Sequence, residues 1–371
     1  MQKVSATLLF ILVTCSLPRV AFSFPEMIRH GYVNCISCHV SPSGGGILTQ
    51  YGRELSKELL STWSKDGEQE FLYGALKKRP EWLNLGGDIR NLVLYRDTPS
   101  IKEGRDIQMQ ADLETVVSVP KVLVVATFGY KEPPPSNPKD TESFISRRHY
   151  INYRPTDELS FRAGRFSPVF GINTPDHAIV TKRGLNWDQG SETYNFENAW
   201  IGEKINAYLT AIFGRPDKVE LKREIGGAAT VSYSFFDRFK VGGSYFNGTN
   251  DLGKRQIYGS WGILGLTEKA TILAELDLQN YMLNGATQNQ NGYVSYNKFD
   301  YEFVQGFHGY LTQEFQNLDT SKSDQLAKVT GIGVQFFPRP HFDFSLTYQR
   351  LSMESVSDPS HLLFLLLHFY P

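Results

Sequence analysis

The chain has 371 residues, 38 Lys and Arg against 39 Asp and Glu, a net charge of −1, and 25 Phe and 19 Tyr within a 13% aromatic content. Charge this balanced, with no basic block, argues against nucleic acid as a partner. Many aromatics with a negative mean hydropathy argue against a helical membrane protein and suit strands with one apolar and one polar face.

In chain order, Lys3, the apolar run 4–17 and the small-residue site Ala21-Phe22-Ser23 predict a signal peptide over 1–23. The run is shorter than the roughly 20 residues a spanning helix needs. Cleavage after Ser23 removes Lys3, Arg19 and Cys15, so the remaining chain carries −3 and two cysteines.

Those two stand in Cys35-Ile36-Ser37-Cys38-His39, the C-x-x-C-H pattern of c-type haem attachment. Two thiols three positions apart can form thioethers with the two vinyl groups on one porphyrin edge, and the adjacent His39 then reaches the iron. A disulfide, a redox C-x-x-C and half of a zinc site compete for the same residues. Zinc would need a second ligand pair, and a thioredoxin-like motif would need a βαβ context. The expectation is one covalent haem c on Cys35 and Cys38, with His39 as axial ligand. The glycines of Ser41-Pro42-Ser43-Gly44-Gly45-Gly46 permit a tight turn or a close approach to a flat ligand. Leu48, Tyr51, Leu55, Leu59 and Trp63 recur at helical spacing, and 71–76 predicts a second short helix. Segment 24–80 is thus a small helical haem segment with little margin for a core of its own.

From Glu81 the period becomes two, with turn residues every 10 to 15 positions. Ile107, Met109, Ala111, Leu113 and Val117 alternate with Asp106, Gln108, Gln110, Asp112 and Glu114. The stretches around Ile272–Gln279 and His341–Tyr348 behave alike. The pattern predicts an all-β fold over 81–371, a 16-stranded antiparallel transmembrane barrel with fourteen as the alternative count. Short turns such as Val119-Pro120-Lys121, Gly202-Glu203-Lys204 and Pro338-Arg339-Pro340 follow even-numbered strands, and longer polar loops follow odd-numbered ones. That alternation places both chain ends in the periplasm of a Gram-negative bacterium. Loop 171–192 is long enough to fold inward. Asp112, Glu114, Glu275, Asp277 and Asp343 are expected to face the lumen, as solvated carboxylates or as a cation-attracting set.

For the sixth iron position His30 is the first candidate, because it lies just before the motif. Met27, His308 and His341 are alternatives, with His177 reachable from the long loop. His308 shares a strand face with Tyr310, Thr312 and Glu314, so it should point inward near a short turn.

Leader, Cys35-x-x-Cys38-His39 and a following barrel together resemble the fused monohaem cytochrome–porin family of outer-membrane electron carriers, which includes iron oxidases. The resemblance implies haem on Cys35 and Cys38, ligation by His39, and electron transfer between a periplasmic carrier such as a soluble cytochrome and an extracellular donor or acceptor. Physical reasoning points the same way: the barrel's apolar band is about 25 Å tall, so a haem within the lumen would bridge what a periplasmic haem would not. The residues leave two other classes open, a diffusion porin with a haem-bearing plug and a haem peroxidase or sensor.

Overall fold

The structure, a computed structural model, describes residues 24–76, 80–130, 144–176, 178–187 and 190–371. The expected leader, its cleavage site and His177 lie outside the described residues. Among those described, the strands are β1 (Leu83–Asp97), β2 (Lys102–Val119), β3 (Val122–Tyr130), β4 (Phe144–Ile145 with His149–Tyr153), β5 (Leu159–Phe166), β6 (Thr193–Ile201), β7 (Ile205–Phe213) and β8 (Ile225–Phe235). They continue as β9 (Phe239–Asn250), β10 (Gly253–Gly265), β11 (Ala270–Leu283), β12 (Gln290–Val304), β13 (Phe307–Asn317), β14 (Ala327–Arg339), β15 (Phe342–Met353) and β16 (Ser360–Phe369). Both pieces of β4 pair with β3. Each strand pairs antiparallel with its sequence neighbours, and β1 meets β16 from Ile89↔Phe369 to Asp97↔His361. The sheet is therefore a closed barrel of sixteen strands with no free edge.

Period-two patterning sets which face looks where. On β7 Leu209 is 66% exposed while the adjacent Thr210 is buried, and on β6 the outward Phe196 and Trp200 flank a Glu197 that is 0% exposed. Polar side chains line the inside and large apolar ones face out, the reverse of a water-soluble sandwich. Outward Tyr153, Trp200, Phe235 and Phe303 end strands at the short-turn side, and Tyr95, Tyr130 and Phe213 at the other. These are the aromatic girdles of a bilayer-spanning barrel.

Short connections follow even strands, at 120–121, 202–204, 236–238 and 305–306. One short turn sits differently from the expectation at 338–340: β14 runs on to Arg339 through a register shift, so the turn is Pro340–His341, with His341 at φ +62°. Two connections after odd strands are short, 98–101 between β1 and β2 and, shortest of all, 251–252 between β9 and β10. There the Asn250 side chain accepts from the Leu252 and Gly253 amides at 2.9 and 3.2 Å, closing a two-residue turn.

The N-terminal segment forms short helical pieces, Pro25–His30, Cys35–Ser37, Gln50–Leu55 continued by a wide turn Ser56–Leu60, and Phe71–Gly74. The helix expected from the spacing of Leu48 to Trp63 is thus shorter: Thr49 caps it, its hydroxyl accepting from the Gly52 amide at 3.1 Å, and Trp63 falls outside. The second helix is a single turn, since Leu72 and Tyr73 adopt positive φ. Its apolar side chains dock on the inner face of the barrel. Met27, Tyr32, Cys38, Leu55 and Leu60 cluster with Phe337; Ile47 with Val116, Val125, Tyr150 and Phe166; Ile28 with Ile172, Ile263 and Leu273.

Candidate functional site

The motif folds as one tight turn. The Cys38 and His39 amides donate to the Cys35 carbonyl at 3.2 and 3.0 Å, which brings residues 35, 38 and 39 to one side. Thr49 holds the turn from beyond it, its amide donating to the Cys38 carbonyl at 2.8 Å and its hydroxyl to the Ser37 carbonyl at 2.9 Å. Cys35 and Cys38 are separate thiols, the first half-buried and the second buried. Burial pushes both above the ordinary cysteine range, so they stay protonated at neutral pH.

His39 Nδ1 lies 3.1 Å from the Gly46 carbonyl. A carbonyl only accepts, so Nδ1 carries the proton. Burial, with the nearby Arg148 charge, pushes the imidazole down to about 4, and the neutral ring keeps its Nε2 lone pair for a metal. A histidine held through its other nitrogen by a backbone carbonyl is a common arrangement of metal-ligating imidazoles. Gly44, Gly45 and Gly46 all have φ between 69° and 83°. A Cβ on Gly44 would meet the Cys35 sulfur at 3.2 Å, and one on Gly46 the Arg148 guanidinium at 2.8 Å. Two thiols, a fixed imidazole and a backbone stripped of side chains beside them fit a covalent haem.

The candidates for the sixth ligand separate in space. Met27 is 1% exposed and belongs to the apolar cluster that contains Cys38. His30 is half-buried beside Arg29, whose Nε donates to its Nε2 at 3.2 Å, with Glu302 4.0 Å away. His308 faces inward as expected, but its Nδ1 lies 3.0 Å from Asp300. His341 Nε2 donates to the Gln69 carbonyl at 3.0 Å.

The segment is tied to strands all round the barrel. Arg29 reaches Asp300 at 3.1 Å and Glu302 at 3.2 Å, and Lys298 pairs with Glu26 at 2.6 Å on the same strand, β12. Lys240 of β9 donates to the Val33 carbonyl at 2.6 Å, Tyr208 of β7 to the Pro42 carbonyl at 3.1 Å, and Arg162 of β5 to the Ser41 hydroxyl at 3.1 Å. Arg53 donates to the Leu85 carbonyl at 2.6 Å.

Above it, loop 167–192 folds inward. The Ile172 amide donates to Glu275 and the Val180 amide to Glu314, each at 2.9 Å, while Arg255 donates to the Leu185 carbonyl at 2.6 Å. Asn173 of this loop donates to the Ser43 carbonyl at 2.7 Å, joining loop and N-terminal segment. The five lumen carboxylates do face inward, but they are buried rather than solvated, and four of them are structural partners. Asp112 pairs with Arg147 at 3.0 Å, Glu114 with Arg148, and Asp343 accepts from His368 at 2.9 Å; Glu275 tethers the loop and Asp277 lies beside it on the same face.

Sequence reasoning missed the arginines opposite them. β4 breaks between its two pieces, and there Arg147 and Arg148 turn inward beside Arg162 and Arg165 of β5. The available signal was Arg147-Arg148 interrupting an otherwise alternating strand. Arg147, Arg148 and Arg162 line a cavity of about 750 Å³ that begins at Gly44–Gly46 and extends to Lys222, Leu252 and Gln290 at the long-loop end.

No family model and no curated protein matches the chain. Solved structures do. A loop-deletion mutant of the Vibrio cholerae outer-membrane protein OmpT superposes with a TM-score of 0.62 at 11% identity, covering 78% of this chain and 99% of that one. The Acinetobacter baumannii outer-membrane channel DcaP gives 0.58 at 13%, covering 78% and 97%. Salmonella typhi OmpF, solved with daunomycin, gives 0.56 at 13%, covering 77% and 97%. Identities this low carry the fold alone, and that fold is a porin-like outer-membrane β-barrel in contact with membrane lipid.

Proposed function

We propose that this chain passes electrons across the outer membrane through one haem c, attached at Cys35 and Cys38 and ligated by His39. Segment 24–80 stoppers the periplasmic, short-turn end of the barrel. A soluble periplasmic carrier such as a cytochrome exchanges electrons there, and an extracellular donor or acceptor exchanges them from the loop side. The observation that carries this reading is the position of the Cys35–His39 turn: it is anchored among inward-facing side chains, next to a cavity that leads to the opposite end. The haem supplies one-electron exchange between ferrous and ferric iron. The chain's own residues do the rest. Gly46 orients His39, Thr49 fixes the turn, and Met27, buried in the cluster that holds Cys38, would offer a thioether to the iron.

The test is reconstitution of the haem-loaded chain in liposomes that enclose a redox dye. An impermeant external donor is expected to reduce the dye, and Cys35→Ala/Cys38→Ala to abolish the reaction. No dye reduction with haem shown to be attached would overturn the reading. A diffusion porin closed by a haem-bearing plug is the second reading, favoured by the fold's likeness to solved porins. It requires solute flux through the same liposomes without dye reduction.

A further inference from the structure

The cavity has an electrostatic polarity of its own. Arg147, Arg148 and Arg162 form its wall above Gly44–Gly46. Their carboxylate partners, Asp112, Glu114 and Glu197, lie behind them and are not part of the cavity surface. Each pair is therefore a dipole with its positive end toward the cavity. Of the five carboxylates that reach the cavity, four are held by the protein: Asp88 by Arg90 at 2.9 Å, Glu224 by Arg255 at 2.6 Å, Glu192 by Arg165 at 3.3 Å and Glu275 by the Ile172 amide at 2.9 Å; the fifth, Glu220, lies beside Lys222 and Arg223 at the long-loop end.

Two arginines of this wall each keep one N–H without an acceptor in the protein, on an Nε set back from the cavity surface. Arg162 is 2% exposed, stacked 3.7 Å over the Phe166 ring and bonded to Glu197 at 2.7 Å, yet its Nε is unpartnered; so is the buried Nε of Arg223, nearer the long-loop end. A buried donor left unpaired is costly and calls for an acceptor that the protein itself does not provide.

We propose that the cavity admits a small anionic redox partner from the long-loop side, of the class of metal ions held in polycarboxylate or cyanide chelates, and binds it on the arginine wall. This rests on the electron-transfer reading above. One electron passes from ferrous haem iron to the chelated metal, which is reduced by one unit while the haem becomes ferric. No ligand or proton moves, and the periplasmic carrier, losing one electron, restores the ferrous haem. A cationic partner meets the positive ends of three ion pairs and is disfavoured.

The test uses the full-length haem-loaded protein, reduced and mixed by stopped flow with ferricyanide, a trianion, or hexaammineruthenium(III), a trication. Oxidation by ferricyanide is expected to slow as salt rises and oxidation by the trication to quicken, a contrast independent of driving force. Arg223→Gln is expected to slow only the ferricyanide reaction, by about tenfold at low salt. Arg162→Gln does the same, and Arg162→Lys, which keeps the charge, restores part of the rate if the buried Gln variant folds poorly. Salt dependence of the opposite sign, or no effect of Arg223→Gln, overturns the proposal. Calorimetry with redox-inert hexacyanocobaltate on the haem-free Cys35→Ala/Cys38→Ala chain separates the two readings. Binding there, without electron exchange in the loaded protein, overturns the redox role and the reading beneath it but leaves the anion site. Electron exchange without hexacyanocobaltate binding overturns the anionic partner and leaves the conduit.

Discussion

Met27 and His30 sit on one helical turn, Pro25–His30, and leave it toward different surroundings. The thioether joins the buried cluster of Tyr32, Cys38, Leu55, Leu60 and Phe337, while the imidazole stays at the rim beside Arg29 and Glu302. Proximity in sequence made His30 the first expectation; burial next to Cys38 favours Met27, and a short helix with both on it gives no means of choosing without the surrounding barrel. A Met ligand raises the haem potential. Met27→Leu is therefore expected to lower the potential and remove the thioether-to-iron charge-transfer absorption, whereas His30→Ala leaves the low-spin spectrum unchanged. The converse pair of spectra would assign His30. The Cys-x-x-Cys-His unit, by contrast, is recognisable without the barrel because its two thiols and imidazole lie within five consecutive residues.

At the scale of elements, the N-terminal segment is held by charge as much as by apolar contact. Arg29 is 1% exposed and faces Asp300 and Glu302, with His308 3.0 Å from Asp300. Removing one member of a buried ion network leaves the others uncompensated, at a cost of about 3–5 kcal/mol. Arg29→Met is expected to loosen the segment, so that limited proteolysis cleaves within 24–80 while the barrel keeps its heat-modifiable gel mobility. Full protection of the variant would show that the segment is anchored elsewhere. The inward fold of the long loop follows from its make-up: Ile172, Ile179, Val180 and Leu185 are buried, and its backbone amides find Glu275 and Glu314 on the facing wall. Its length marked it as able to turn inward, but only the strand order shows which carboxylates receive it.

For the whole molecule the decisive quantity is what covers the outer face. Leu209 lies mid-strand on β7 and is 66% exposed. In water, replacing an exposed leucine by arginine changes stability by roughly 0.5 kcal/mol or less; at the midplane of a bilayer it costs about 2–4 kcal/mol. Leu209→Arg is expected to destabilise the barrel by the larger amount, read by denaturant titration of protein folded into lipid vesicles. A neutral result would return the outer face to water. Closure through β1 and β16 gives the sheet no edge to protect, so apolar residues can occupy the outside along its whole circumference.

Strand number, inside and outside were readable from the chain, because each rests on local order: a period of two and turn residues at regular intervals. Tertiary structure decided the rest. Arg29 meets Asp300 across 271 positions, and Arg162 meets Ser41 across 121. Which arginine backs onto which carboxylate, where the N-terminal segment seats, and that Asp112, Glu114 and Asp343 serve as partners all depend on closing the ring. A local pattern states only that a side chain points inward; what it meets there is set by strands that the sequence holds far apart and the barrel brings face to face.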